Sequence, residues 1–392
     1  MLDFARATGL TDAASKPRRY LWTDAFAVCN FLELYRETGE ASYLQTARRL
    51  VKQVHFVLGR YSEEDSRSGW ISGLDERAGY QHPTVGGLRI GKQLLERTAG
   101  QPLDERLEWD RDGQYFHYLT KWMQALTRMA AYTGDSEYQR WALELARAAY
   151  AGFTYRLAAG APLQMYWKMS IDLSRPLVSS MGQHDPLEAL VTYTELQTNT
   201  GHYKPLPSDV DLAKEIADYR SMCAYKSWAT EDPLGTGSLL IDTFRLAQIK
   251  ANFKISESVE LTHLLADCAA GITAFVSSRQ ADYPAQHRLA FRELGLAIGL
   301  EALARLRDLH LQYPHKYSLT KAYIAQLERL EDFADLADKI TSFWLEAAHQ
   351  QVASWRDHLD INMVMLATSL APDAFLFTGP DRESHNTDIS NV

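Results

Sequence analysis

Residues 34–44 read LYRETGEASYL and residues 131–140 read AYTGDSEYQR. In both, an apolar segment of helical period ends at Thr-Gly, an acidic residue follows, and a tyrosine stands four positions after the glycine. Glycine takes the left-handed conformation that closes a helix at no steric cost, and a second periodic segment begins within a few residues. Each stretch therefore predicts an antiparallel helix hairpin, and its recurrence predicts a chain built from hairpins. A shorter echo, NTGHY, occupies 199–203.

The segments around these turns have helical rather than strand periodicity. Tyr115, Leu119, Trp122, Leu126 and Met129 fall at steps of four and three on one face. Similar patterns cover 24–38, 42–58, 84–98, 136–154, 186–199, 209–228, 237–253, 258–278, 287–312, 319–350 and 356–370. With 113–132 they make about twelve helices. Strand-like alternation is confined to MYWKMSIDL at 165–173, which predicts a short hairpin or an extended loop. Paired helices in one chain of this size predict an all-α fold, an (α/α)6 barrel over residues 1–378, with a polar tail, GPDRESHNTDISNV, over 379–392. An open solenoid needs polar terminal repeats and a stricter period. Long loops at 59–83 and 154–183 break the period here, and loops of that length usually carry function.

Composition narrows the partners. The net charge is −9, with 41 Lys and Arg against 50 Asp and Glu, and no basic run appears. Nucleic acid and an anionic membrane face both require clustered cations, so neither is expected as partner. No segment reaches about 18 uncharged apolar residues, and the first residues, MLDFARATGLTDAASKPRRYLW, lack the apolar core of a secretion signal. Cys29, Cys223 and Cys268 are widely spaced within apolar helical stretches and read as buried free thiols. These features predict a cytoplasmic location. The long helices at 287–312 and 319–350 offer an outer face for a second copy of the chain.

At this point the sequence resembles the six-hairpin glycosidase superfamily, which includes unsaturated glucuronyl hydrolases and, with related architecture, N-acylglucosamine 2-epimerases. The resemblance rests on the turn YRETGEASYL at 35–44, its copy YTGDSEY at 132–138, and aromatic–acid pairs ahead of presumed inner helices. Those pairs are Trp22-Thr23-Asp24, Trp109-Asp110-Arg111-Asp112 and Trp355-Arg356-Asp357. The resemblance implies that inner helices deliver their ends to one mouth, where aromatic platforms and carboxylates bind sugar. The chain has 9 Trp and 20 Tyr from which such platforms could be drawn, although aromatics also supply most of a core.

Two clusters could carry chemistry. LEWDRDGQYFHYL (107–119) brings Asp110, Asp112, Tyr115 and His117 to a helix start. SSMGQHDPLEALV (179–191) brings His184 and Asp185 to another, preceded by Trp167. In the second, Asp185, Pro186 and Glu188 suit the N-cap, first-turn and capping-box positions. If both loops open on one side, Asp112 and Asp185 face each other, and two carboxylates with separated proton affinities cleave glycosides. His184 is then expected as a proton-relay partner. Trp22, Asp24, Trp109, Asp110, Tyr115, His117 and Trp167 are expected to bind substrate. Arg288, Glu293, Trp355 and His358 join them, because arginine beside a carboxylate suits an acidic sugar.

GGLRIGK at 86–92 matches a phosphate-loop skeleton, but Gln93 stands where Ser or Thr must hold magnesium, so the stretch predicts a helix start with glycines for close packing. There is no His-Glu-x-x-His and no Cys-x-x-Cys, so neither a metal nor another cofactor is expected. The leading expectation is a metal-independent hydrolase of a small glycoside or oligosaccharide, with a uronate among the candidate units. The alternatives are a sugar epimerase or isomerase drawing on His184, His287 and His358, and a sugar-binding barrel without turnover.

Overall fold

Both Thr-Gly turns close helices. Gly39 (φ 71°) and Gly134 (φ 69°) are left-handed, and their N–H groups bond the carbonyls of Tyr35 and Ala130. The computed structural model describes residues 1–11, 16–158, 160–202, 211–252, 260–316 and 320–378. The tail expected at 379–392 and the tyrosine of the NTGHY echo lie outside the described residues.

Helix α1 (Leu2–Ala7) precedes the first hairpin, α2 (Leu21–Thr38) with α3 (Ala41–Leu58). The short helices α4 (Glu76–Gln81) and α5 (Glu105–Asp110) lie in the connection to the second hairpin, α6 (Phe116–Thr133) with α7 (Ser136–Phe153). Then α8 (Asp185–Asn199) pairs with α9 (Ala213–Cys223), and α10 (Pro233–Asn252) with α11 (Leu261–Ser277). Helix α12 (Ala290–Gln312) is followed by α13 (Lys321–Glu331), which packs on α11, and α14 (Asp335–Leu345), which packs on α12. The short α15 (Ala353–Arg356), then α16 (Leu359–Leu370) and α17 (Asp373–Leu376), complete the described helices.

The ring is closed by contacts. Helix α2 packs on α6, α6 on α8, α8 on α10, α10 on α12, α12 on α16, and α16 back on α2. These form the inner layer of an (α/α)6 barrel, and α1, α3, α7, α9, α11, α13 and α14 lie outside it. The hydrophobic pattern decides each helix's place. Helix α3 turns Ala47, Leu50, Val51, Val54 and Leu58 inward, all fully buried, while its opposite face carries Arg49, Lys52 and the exposed Phe56. Each larger side chain so buried contributes roughly 1.5–3 kcal/mol. Among the inner helices, α10 and α12 cross at glycine: a Cβ on Gly237 would meet the Gly295 carbonyl oxygen at 2.1 Å.

One barrel end is plugged. Phe375 of α17 stacks on Phe26 of α2 at 4.4 Å, and the carbonyls of Phe375 and Leu376 accept from Gln124 of α6 and Gln248 of α10 at 2.8 and 3.0 Å. Above the plug lies a buried charged layer. Glu195 of α8 pairs with Arg128 of α6 and, at 2.8 Å, with Arg245 of α10, which also holds Asp242 at 3.0 Å. The opposite end is open.

Strands are short: β1 (Gln114–Tyr115), β2 (Thr154–Tyr155), β3 (Gln164–Met165), β4 (Lys168–Met169) and β5 (Pro176–Val178). Strands β2 and β3 pair, and β1, β4 and β5 form an antiparallel sheet in which Tyr115 lies opposite Lys168. Within the stretch read at 165–173, Met165 ends β3 and Lys168–Met169 form β4.

Two helix expectations fail. Residues 84–98 form no helix but an extended strap, in which Leu21 N–H bonds the Ile90 carbonyl, Ile90 N–H bonds the Gly113 carbonyl and Arg89 N–H bonds the Leu58 carbonyl. Leu88 and Ile90 are buried, so the apolar spacing there reports a strap crossing the core, and a Cβ on Gly91 would meet the Arg19 carbonyl oxygen at 2.2 Å. The glycines serve close packing, without the helix start. The segment read as 319–350 splits into α13 and α14 around 332–334. No described helix is long and apolar enough to cross a membrane. The three cysteines are free and buried, and burial pushes the Cys29 and Cys223 thiols up to about 12.

Candidate active site

All six inner helices present their N-terminal turns to the open end. Trp22 and Thr23, His117 and Lys121, Asp185 and Glu188, Leu234 and Ser238, Phe291 and Arg292, and Asp360 and Ile361 line one cavity of about 2060 Å³. Parallel inner helices also aim the positive ends of their dipoles there.

Helix α8 begins at Asp185, with His184 as N-cap, so Asp185 is the first helical residue rather than the cap, and no side chain caps the helix. Glu188 does not close a capping box. Its carboxylate accepts from Thr120 Oγ1 at 2.6 Å and pairs with Lys121 Nζ at 2.8 Å, both on α6. Lys121 keeps Glu188 below the usual carboxylate range although burial opposes it. One turn earlier, Asp185 is buried and its Oδ2 has no hydrogen-bond partner. Desolvation and the Glu188 charge push its carboxyl up to about 8, so it carries a proton at neutral pH.

Two imidazoles flank Asp185. His117 Nδ1 lies 3.9 Å from Asp185 Oδ1, and burial lowers this histidine to about 4, leaving it neutral. His184 Nε2 sits 2.7 Å from the Trp228 carbonyl oxygen. A carbonyl only accepts, so Nε2 carries a hydrogen. Both residues line the cavity.

Aromatic rings wall the same region. Trp167 contacts Trp109 at 4.8 Å, Tyr115 at 5.3 Å and, nearly parallel, His117 at 6.5 Å. Tyr118 meets His117 edge-on at 4.8 Å and shares a 2.7 Å hydrogen bond with Tyr20. Lys168 Nζ lies 5.3 Å from the Tyr115 ring centre and donates to the Glu108 and Arg111 carbonyls, fixing the wall from behind.

The geometry separates the residues singled out in the sequence. Asp185, His184, His117, Tyr115, Trp22, Trp109, Trp167 and His358 share the cavity. Asp112 does not face Asp185 across it. It is buried behind the wall, with Oδ2 taking Arg89 at 2.8 Å and Oδ1 accepting the Gly91 and Lys92 amides at 3.0 and 3.3 Å. The Asp112 N–H also bonds the Leu94 carbonyl at 2.7 Å beside the Leu94–Arg111 bridge, which ties it to the 84–98 strap, so the expected carboxylate pair is not formed. Asp24 is likewise inward, pairing with Arg19 at 3.5 Å and accepting Tyr20 N–H at 3.0 Å. Asp110 is exposed outside the cavity, at the end of α5. Arg288 and Glu293 form a buried pair that Trp344 joins by donating to Glu293 at 2.8 Å, and Trp355 stacks on Trp344 at 5.8 Å. Together with His287, Arg288 and Glu293 line a small side pocket instead.

Lys121 and Glu188 were not singled out as site residues in the sequence. The signal was present as spacing, His117 to Lys121 and Asp185 to Glu188 at one turn each, which puts each pair on one helix face. Among the described residues, no group of three His, Cys, Asp or Glu is placed to hold a metal ion.

No family model and no curated protein matches the chain. Solved structures similar to it include cellobiose 2-epimerase from Spirochaeta thermophila DSM 6192, at 12% identity over 88% of this chain and 86% of that one, with a TM-score of 0.47. Cellobiose 2-epimerase from Bacillus thermoamylovorans B4167 is similar at 12% identity over 94% and 96%, TM-score 0.47. A sugar epimerase from a ruminal bacterium is similar at 10% identity over 90% and 87%, TM-score 0.42.

Proposed function

We propose that this protein is a sugar epimerase or isomerase that moves a proton at the carbon next to a sugar carbonyl. The reading is carried by Asp185, a buried carboxyl held protonated up to about 8 beside His184, which lines the same mouth. The hydrolytic reading asked for an ionised partner opposite Asp185, and Asp112 is committed to Arg89 and two amides.

In this reading the open-chain sugar lies against the half-buried Trp167, whose ring face suits the C–H face of a sugar, with the buried Tyr115 packed behind it. His184 Nδ1 accepts the proton from the carbon next to the carbonyl. Asp185 gives its proton to the carbonyl oxygen, and an enediol forms. Asp185 then takes a proton back from an enediol hydroxyl while His184 returns its proton to carbon: delivery to the neighbouring carbon gives the isomer, and delivery to the original carbon gives the epimer once the enediol has turned its other face to His184. Neutral His117 leaves the Asp185 proton in place, whereas a cation 3.9 Å away would draw it off. Burial, and after it the negative charge of Glu188 locked to Lys121, keeps Asp185 an acid.

The test is incubation with reducing sugars such as glucose, mannose, fructose and cellobiose in D2O, followed by proton NMR. Deuterium at the carbon next to the carbonyl, with a new epimer or isomer, and its loss in His184→Ala are expected. Liberation of new reducing ends without deuterium uptake would restore hydrolysis.

A further inference from the structure

Helix α3 carries a second ridge that the proposed reaction does not use. Arg49, Lys52, Gln53 and Phe56 follow one another at steps of three, one and three, which places them on a single helical face opposite the buried one, and all four line the cavity. An outer helix thus extends the cavity beyond the inner-helix mouth. At about 2060 Å³ the cavity exceeds the roughly 300–1,000 Å³ of an ordinary small-molecule pocket, so it has room for more than one sugar unit.

The ridge ends in an aromatic platform. Phe56 stacks on Tyr80 of α4 at 5.9 Å with an interplanar angle of 18°, and the two remain 46% and 56% exposed. Trp70 buttresses Tyr80 edge-on at 5.3 Å. The Arg60 guanidinium lies 5.0 Å from the Phe56 ring centre and 5.1 Å from that of Trp70, and is fixed by two bonds to Glu76 at 2.7 and 2.8 Å. Two neighbouring large rings left half open to water form an apolar patch on the cavity rim.

The charges beside the platform are also unspent. Most cations along this cavity have a carboxylate: Lys16 has Glu63, Arg60 has Glu76, Arg67 has Asp65 and Glu96, and Arg89 has Asp112. Among the described residues, Lys52 is exposed with no partner and Arg49 donates only to the Leu10 carbonyl at 3.4 Å. Like charges one turn apart on a helix repel, and this pair stands together on a cavity wall of a protein of net charge −9. Beside them Gln53 Oε1 is buried without a hydrogen-bond partner.

We infer that the α3 wall is an outer subsite for an acidic sugar unit, stacked on Phe56 and Tyr80 with its anionic group between Arg49 and Lys52. The inference deepens the proposed function by giving its substrate as an oligosaccharide with a carboxylate or sulfate on a unit distal to the reacting end. It makes the barrel one cavity with two tasks.

Binding calorimetry at low salt separates this from the reaction, because it requires no turnover. The probes are tetragalacturonate, a sulfated chondroitin tetrasaccharide, and the neutral tetrasaccharide cellotetraose. Preferential binding of one or both acidic probes is expected, and which one binds identifies carboxylate or sulfate. Arg49→Ala/Lys52→Ala should weaken the acidic probe about tenfold and leave cellotetraose unchanged, and raising salt should weaken the wild type in the same way. Phe56→Ala should weaken acidic and neutral probes alike. Equal affinity for acidic and neutral probes, or acidic binding untouched by the double variant, would overturn the subsite. Deuterium exchange on reducing sugars would stand or fall separately.

Discussion

Replacing Asp185 by Asn tests whether this carboxyl is neutral in the folded protein. Its pKa is raised from 3.8 to about 8, chiefly by burial and then by Glu188. In the unfolded chain it ionises near its ordinary value, so below pH 3.8 the group is protonated in both states and costs nothing. As pH rises from there towards 8, the unfolded state releases the proton and the folded state retains it, and the wild type loses about 1.4 kcal/mol per pH unit from this group. Above the folded value no further loss accrues. Between pH 5 and 7 the loss is therefore about 3 kcal/mol. Asn is close in shape and cannot ionise, so Asp185→Asn should escape that loss. Urea unfolding of both proteins at pH 5, 6 and 7 measures it, as the change with pH of their stability difference. His55 and His310, lowered to about 3 and about 4 by burial, titrate in both proteins and cancel. Parallel stability curves over this range would refute a neutral Asp185, and the acid assigned to it in catalysis would go with it.

Three further outcomes are expected. If Asp185 acts as a protonated acid, kcat/KM should be lost about tenfold per pH unit above roughly pH 8, and Glu188→Gln, which removes the charge raising that carboxyl, should move this limb to lower pH. Glu195→Ala leaves Arg128 and Arg245 buried without their shared carboxylate and should cost about 3–5 kcal/mol in denaturant unfolding, whatever its effect on rate. Asp112→Asn should lower stability through Arg89 while retaining deuterium exchange at saturating sugar, as a structural carboxylate requires; abolished exchange in a folded variant would return Asp112 to the reaction.

What could be read in the sequence was whatever depends on neighbours along the chain. A Thr-Gly turn closes a helix through the local conformation of one glycine, and helical period follows from which face must be dry, so the hairpins and the all-α class were legible at Gly39 and Gly134. So was the arrival of His117, His184 and Asp185 at helix starts. The strap at 84–98 was misread because apolar spacing records burial without recording which backbone partner satisfies the amides, and Leu58, Gly113 and Leu21 supplied those partners. Asp112 and Asp185 look equivalent in sequence, each an acid ahead of an apolar helix. Only tertiary structure gave Asp112 an arginine and two amides and gave Asp185 a dry site beside Glu188. Proton affinity is set by the charges and solvent within a few ångströms, and those come from helices α6 and α8 meeting across the barrel.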